Sequence, residues 1–295
     1  MGTTEDRGVL VYDVGGSHIS AALCSLPGYN LGPIVQAHLP TKETSESFID
    51  VLADLAHSST RDAGNAAGAA LAMPGPFDYQ SGVSWMQHKM SYLYGFSLRQ
   101  ALAARLGWDG SSIRFLNDAA AFLWGEIGAG EARGCDRAAG ITLGTGVGSA
   151  FAVGGRVVSQ GTGVPPGGEI WNIPFAGGIV EDLISTRAIK GRYRERTGAE
   201  HEVAEIAALA ARDSVAAEVF AEFGRNLGRV LRQLMGEFDP EVVVFGGGIA
   251  RSSSLFLPAL RASIEGLRLE PRISELGQTA PLIGAGVFWL AQDRA

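Results

Sequence analysis

Hydrophobic and polar positions along the chain predict alternating strands and helices. Val9 to Val14 is a short apolar run that ends in Asp13-Val14-Gly15-Gly16-Ser17, and Ile19 to Cys24 resumes it, so the pair predicts a hairpin around a glycine turn. Another strand is predicted near Ile34 to Leu39. From Ser45 to Ala56 the apolar residues Phe48, Ile49, Leu52 and Leu55 fall at helical spacing, with Glu46 and Asp50 on the other side. Ala66 to Met73 reads as a buried strand stopped by Pro74-Gly75-Pro76. A helix follows over Leu98 to Leu106, a short strand over Ile113 to Leu116, and a helix over Ala119 to Ile127 opened by Asn117-Asp118.

After Gly128 the layout starts again. Ala138 to Leu143 is apolar, Gly144-Thr145-Gly146-Val147-Gly148 makes a second glycine turn, and Ala150 to Val153 and Arg156 to Val158 complete the strands. A repeat of this length indicates two related domains and not a short-period solenoid. Asp213 to Phe238 is the longest helical pattern, with Val215, Val219, Phe223, Leu227, Val230, Leu231 and Leu234 on one face. Asp239-Pro240 stops it, and the strand Glu241 to Phe245 runs straight into Gly246-Gly247-Gly248. A last helix is predicted around Gly284 to Ala291. The class is α/β, with a boundary expected near Leu116 to Asp118.

Composition narrows the options modestly. Apolar residues make up 46% of the 295, enough for two modest cores. The net charge of -7 comes without any Lys/Arg-rich run, so no nucleic-acid partner is expected. No stretch of about 18 uncharged apolar residues occurs, so no membrane span is expected. The MGTTEDRG start has neither a basic nor an apolar leader region. Cys24 and Cys135 stand far apart and read as reduced thiols, consistent with a cytoplasmic protein.

Three glycine turns follow apolar strands: Gly15-Gly16, Gly144 to Gly148, and Gly246 to Gly248. Such turns let backbone N–H groups approach phosphate oxygens, and they also serve as plain hairpin turns. The Gly144 segment leads into a strand and not a helix, which speaks against a dinucleotide fingerprint, and no GxxxxGK[ST] sequence occurs. Asp13, at a strand end, is either a Mg²⁺ ligand or an Asx turn. Asp118 is either a helix cap or a general base.

Taken in order, these segments resemble the ROK family of bacterial sugar kinases and sugar-responsive repressors, from about Val9 to Trp289. Asp13-Val14-Gly15-Gly16-Ser17 resembles its first phosphate segment, with Ser17 for Thr and His18 where Lys is frequent. Met73-Pro74-Gly75-Pro76 resembles a turn near the sugar, and Asn117-Asp118 a pair in which Asn binds sugar and Asp is the base. Leu143 to Gly148 resembles the second phosphate loop, including Gly144, Thr145 and Gly146. Gly167-Gly168-Glu169 resembles the start of the sugar loop. Glu181 with Ser185, Arg187, Ala188 and Ile189 resembles a segment whose Glu also touches sugar. Pro240 to Gly248 resembles the strand and turn that pack on adenosine.

The resemblance implies an actin-like, ribonuclease-H-like two-domain ATPase fold with a cleft between domains. Residues 1–117, completed by a C-terminal helix at about 284–295, would form the smaller domain, and 118–283 the larger. It further implies ATP and Mg²⁺, with Asp13 on the metal directly or through water, a small-molecule sugar, and a homodimer. Glucose phosphorylated at its 6-hydroxyl leads. Mannose, fructose, allose and N-acetylated amino sugars such as N-acetylmannosamine remain open, as do a polyphosphate donor and a non-catalytic sugar-binding protein. The repressor reading needs a helix-turn-helix domain ahead of the first strand, whereas Asp13 is already the thirteenth residue.

Two departures stand out. The family's zinc-ligating His after the Glu is absent, with Glu169-Ile170 followed by Trp171-Asn172, and its CxCGxxGC cluster is missing, so no zinc site of that kind is expected. Packing by Trp171, Ile173, Pro174 and Phe175 is expected to order the loop, with Asn172 as a candidate sugar contact. The stretch Trp85 to Met90 carries no assignable equivalent of the family's second sugar-binding Asn.

Overall fold

The computed structural model describes residues 8–60 and 66–293. The first seven residues, read above for a leader, lie outside the described residues, as do the last two of the predicted C-terminal helix. The chain divides into two compact units, one running to Ala129 and resuming at Gln278, the other spanning Gly130–Gly277.

The first unit is built on a six-stranded sheet. Its strands are β1 (Gly8–Val14), β2 (His18–Ser25), β3 (Asn30–Leu31), β4 (Val35–His38), β5 (Ala69–Met73) and, after the small hairpin β6 (Phe77–Asp78) and β7 (Val83–Ser84), β8 (Ile113–Asn117). The order is β3-β2-β1-β5-β8, with β4 also on β2. β1 and β2 are antiparallel across the Gly15 turn, whereas β1, β5 and β8 are mutually parallel. All five residues of β5 are buried, which is why the central strands read as continuous apolar runs. Helix α1 (Ser45–Thr60) places Phe48, Ile49, Leu52 and Leu55 in the core, and Thr44 Oγ1 accepts the Ser47 N–H at its start. Helix α2 (Leu98–Leu106) starts at a capping Ser97 and stops at Gly107 in the left-handed conformation.

Helix α3 (Asp118–Ala129) packs on the C-terminal helix of this unit, Ala280–Asp293. Glycines set their close approach: a Cβ on Gly125 would strike the Ala280 carbonyl, and one on Gly284 the Ala121 carbonyl. This packing moves the divide to the far end of α3, later than the boundary expected at residue 117, and the C-terminal helix starts four residues earlier than predicted.

The second unit repeats the plan in a five-stranded sheet ordered β11-β10-β9-β14-β15. β9 (Arg137–Leu143), β10 (Val147–Val153) and β11 (Arg156–Val158) form an antiparallel meander. A two-stranded hairpin, β12 (Pro174–Phe175) and β13 (Gly178–Ile179), follows, and β14 (Val242–Gly246) and β15 (Glu270–Ile273) lie parallel to β9. Helices α4 (Thr186–Thr197), α5 (Val203–Leu209), α6 (Ser214–Leu234) and α7 (Ser253–Ser263) complete the unit before α8 (Ala280–Asp293) returns to the first. The predicted face of α6 is the buried one, with Val219, Phe223, Leu227, Val230 and Leu231 in the core. Among the described residues no helix is long and apolar enough to cross a membrane.

The α3–α8 contact makes a stability test. Gly284→Ala forces a methyl into the Ala121 backbone and is expected to destabilise by about 1–3 kcal/mol. Gly191→Ala, mid-helix in α4 with open space at the same position, should stabilise by up to about 1 kcal/mol. Thermal melts of both variants check the pair; equal shifts would refute the packing argument.

Candidate active site

Three parallel strands of the first unit end at one edge of its sheet. Asp13 of β1 stands opposite Ala72 of β5, and Met73 opposite Asn117 of β8, so Asp13, the Pro74-Gly75-Pro76 turn and Asn117-Asp118 arrive together. Carboxyl ends of strands are where open α/β sheets gather ligands. Asp13 is half-buried, and its pKa is pushed up to about 7, chiefly by burial and then by the negative charge of Asp118. Burial also raises Asp118, against the lowering effects of the Ala119 N–H, the Lys89 ammonium and the Asn117 side chain. The Ala119 N–H lies 2.8 Å from Asp118 Oδ1.

Asn117 is held at both ends of its amide. Its Oδ1 accepts the Ala120 N–H at 3.1 Å, so Asn117, and not Asp118 alone, satisfies the free amides at the start of α3. Its Nδ2 donates to the Tyr79 hydroxyl at 3.2 Å, and that hydroxyl donates to the Met73 carbonyl at 3.2 Å. Tyr79 thereby ties the ends of β5 and β8 together, and it stands 3.6 Å from where a Cβ on Gly75 would be. Sequence reasoning missed Tyr79 and the electrostatic reach of Lys89, because neither lies at a spacing that marks a role. In the unassigned Trp85 to Met90 stretch, Met86 and Met90 are buried, and Trp85 is exposed against Tyr94 at 5.6 Å.

The first glycine turn is closed by the Gly15 N–H donating to the His18 carbonyl at 2.9 Å. A Cβ on Gly16 would meet nothing within 4 Å, so no neighbour in the chain demands glycine there. The Ser17 hydroxyl and His18 Nδ1 are 2.8 Å apart, and the His18 ring lies 4.2 Å from that of His38.

In the second unit the Gly144 turn joins β9 to β10. The Thr186 N–H, at the first residue of α4, donates to the Gly144 carbonyl at 2.8 Å, and the Val147 N–H donates to Glu181 Oε2 at 3.0 Å. Glu181 therefore anchors the second glycine turn as well as standing among the predicted sugar residues. A Cβ on Gly146 would lie 2.8 Å from that same Oε2, whereas Gly144 has only the Gly146 carbonyl at 4.0 Å. Gly246 registers with Thr142, which brings the third glycine turn beside the second. Gly247 has φ +87° and is pressed against the Leu143 backbone, while Gly248 faces open space.

Thr145 is exposed and lines a cavity of about 410 Å³ with Thr186, Arg187, Lys190, Gly191, Arg194, Glu200 and His201. Glu169 and Asn172 are exposed, and Glu169 Oε2 accepts the Trp171 indole N–H at 3.0 Å. Phe175 is buried and Ile173 packs on the core, as expected of the residues that order this loop, while Pro174 is exposed in the β12–β13 hairpin and Trp171 is 38% exposed. Among the described residues no group of three or more His, Cys, Asp or Glu side chains is placed to hold a metal ion.

Comparison with known proteins identifies the family and the fold. The bifunctional enzyme NanE/NanK of Brucella melitensis biotype 1 is 29% identical over 94% of this chain, and the chain spans only about half of that protein's length (52%). The glucokinase of Streptomyces coelicolor is 27% identical over 92% of this chain and 94% of its own. Among solved structures, the ROK hexokinase of Thermus thermophilus superimposes with a TM-score of 0.82 at 28% identity, over 98% of this chain and 100% of that one. The fold is thus the actin-like, ribonuclease-H-like fold of these sugar kinases. The ROK family model matches residues 9–294, and the chain belongs to the ROK family.

Proposed function

We propose that this protein is an ATP-dependent hexose kinase that phosphorylates glucose at the 6-hydroxyl. The observation that carries the reading is the pair Asp13 and Asp118, two half-buried carboxylates at or just past the ends of parallel strands, Asp13 raised by burial and by the charge of Asp118, and Asp118 raised by burial. Asp118 is the general base. The sugar hydroxyl oxygen bonds to the γ-phosphorus, the bond from that phosphorus to the β–γ bridging oxygen breaks, ADP leaves, and the hydroxyl proton passes to Asp118. A carboxylate whose pKa is raised above its ordinary value, as burial raises that of Asp118, is better matched to that task.

The open glycines fit a phosphate donor. Gly16 and Gly248 leave open space and Gly144 meets only the Gly146 carbonyl at 4.0 Å, so backbone N–H groups can approach phosphate oxygens there. Gly15, Ser17, Thr145, Gly146, Gly246 and Gly247 shape those turns. Asp13 offers the hard oxygen that Mg²⁺ takes alongside water and phosphate ligands, and the ion would neutralise charge on the triphosphate. On the sugar side the reading places Gly75, Asn117, Glu169, Asn172 and Glu181, whose acceptors suit ring hydroxyls.

A second reading, a kinase for an N-acetylated hexosamine, draws on the N-acetyl-D-glucosamine kinase of Pectobacterium atrosepticum, 25% identical over 83% of this chain. A coupled assay over glucose, mannose, fructose, allose, N-acetylglucosamine and N-acetylmannosamine, with ATP and polyphosphate as donors, separates the two. Highest kcat/KM on glucose is the expected outcome; a preference for an N-acetylated sugar selects the alternative.

Asp118→Asn is expected to lower kcat by roughly 10²–10⁴-fold while sugar affinity by calorimetry is kept. Near-native turnover would remove Asp118 as base. Asp13 gives a pH test. Its folded pKa, about 7, lies above the unfolded value, so the folded state binds more protons between about pH 4 and 7, and stability from this group falls as pH rises through that window. Asp13→Asn should melt higher than the native protein at pH 8, by an amount on the order of 1–4 kcal/mol, and the gap should close towards pH 4. A gap independent of pH would contradict the strained pair.

A further inference from the structure

We infer that Ser149 is the positioning residue for the Glu169 carboxylate; the inference rests on the proposed sugar-side role of Glu169. Ser149 is 6% exposed, one of few polar side chains buried in the described chain. Its hydroxyl donates to the Gly168 carbonyl at 2.6 Å and accepts the Ile170 N–H at 3.0 Å. Those two groups flank Glu169 on either side. One side chain thus fixes both peptide links through which Glu169 is attached.

Besides the Ile170 side chain, which is buried in the core, the segment is held mainly by its own turn. Gly167 and Gly168 both take left-handed φ values, +69° and +74°, in a single 3-10 turn, Pro166–Gly168. Within that turn the bonds are Gly168 N–H to the Pro165 carbonyl at 2.7 Å and Glu169 N–H to the Pro166 carbonyl at 3.3 Å. No thiolate cluster is present in the sequence to order it. The Ser149 hydroxyl is the strand-borne fixture: it joins the loop to β10, whose own first amide, Val147 N–H, holds Glu181. Trp171 continues the brace, its indole donating to Glu169 and its carbonyl accepting the Glu181 N–H at 3.0 Å. Two residues of one strand, Val147 and Ser149, therefore set where both sugar-side carboxylates stand.

Removing the hydroxyl leaves a buried carbonyl and a buried amide without this partner, and the loop relaxes to find others. Glu169 is then off its productive geometry in the fraction of molecules that relax, and sugar affinity falls while nucleotide affinity does not.

The test is a double-mutant cycle read by calorimetry. Glucose, N-acetylglucosamine and N-acetylmannosamine are titrated into the wild type and the tightest binder is carried through Ser149→Ala, Glu169→Gln and the double variant. A non-hydrolysable ATP analogue is titrated in parallel. Ser149→Ala is expected to weaken sugar binding about 10-fold, leave analogue binding within about twofold, and add almost nothing on top of Glu169→Gln. Ser149→Thr, which keeps the hydroxyl, should restore most of the affinity. Ser149→Cys, near in size but a weak donor, is run alongside, so that failure of the alanine variant to fold leaves the cycle measurable.

Unchanged sugar affinity in the Ser149 variants with a weakened Glu169→Gln overturns the inference alone. Fully additive losses do the same, since Ser149 would then act elsewhere. Unchanged affinity in Glu169→Gln, or a wild type that binds none of the three sugars, removes the role of Glu169 and the inference with it.

Discussion

The first unit is organised around two carboxylates that repel each other where water is scarce. Asp13 lies on β1 and Asp118 directly follows β8 as the first residue of α3, and the parallel pairing of β1, β5 and β8 brings both to one sheet edge. Burial and mutual charge push Asp13 to about 7, a state that weakens the fold at neutral pH. Such an arrangement persists only when surrounding structure over-determines it. Here Asn117, locked between the Ala120 N–H and the Tyr79 hydroxyl, and the glycine-tight α3–α8 contact supply that restraint. Strain of this kind marks sites of function more often than sites of pure architecture.

The glycines of the two units sort by cause. Gly247 is required by its positive φ and by the Leu143 backbone, and Gly146 by the Glu181 carboxylate. Gly125 and Gly284 are required by helix packing. Gly16, Gly144 and Gly248 have no such requirement within the chain, and under the proposed function the room they leave is taken by phosphate. That distinction cannot be drawn from composition, since all seven look alike in the sequence.

Much of the framework was legible because its signals are local. The hairpin at Gly15, the buried run of β5, the apolar face of α6 and the repeated strand–turn–strand plan follow from periodicity and turn residues. The α2 span, Leu98–Leu106, was predicted without error at either end, because Ser97 and Gly107 cap it. Missed elements lack that clarity. Helix α4 carries six charged residues in TRAIKGRYRERT and only Ile189 and Tyr193 are buried, so its apolar stripe is too thin to see. Helix α7 holds Pro258, and β15 is four residues with charge at Glu270 and Arg272. At the site, Asp13, Asn117 and Asp118 were found because they sit beside glycine turns or strand ends. Tyr79 and Ser149 were not, since their work is done through partners 38 and about 20 residues away.

Repetition of one scaffold with different strand-end chemistry explains how the chain divides its labour. Both sheets pair an antiparallel hairpin with parallel neighbours, so each offers a glycine turn next to the carboxyl ends of adjoining strands. In the first unit those adjoining ends carry acids, Asp13 and Asp118. In the second they carry glycines, Gly246 to Gly248, and the acids come from connections, Glu169 between β11 and β12 and Glu181 just after β13, bound back to β10 through Ser149 and Val147. A strand end is stiff and places a group by register; a connection is compliant and places a group only if something pins it. Asp118, the carboxylate proposed to accept the proton, directly follows β8 and so lies on the stiff kind of support that a group tolerating little error in position needs. Glu169 and Glu181, to which the proposal gives sugar recognition, lie on the compliant kind, pinned by Ser149 and by the Val147 amide.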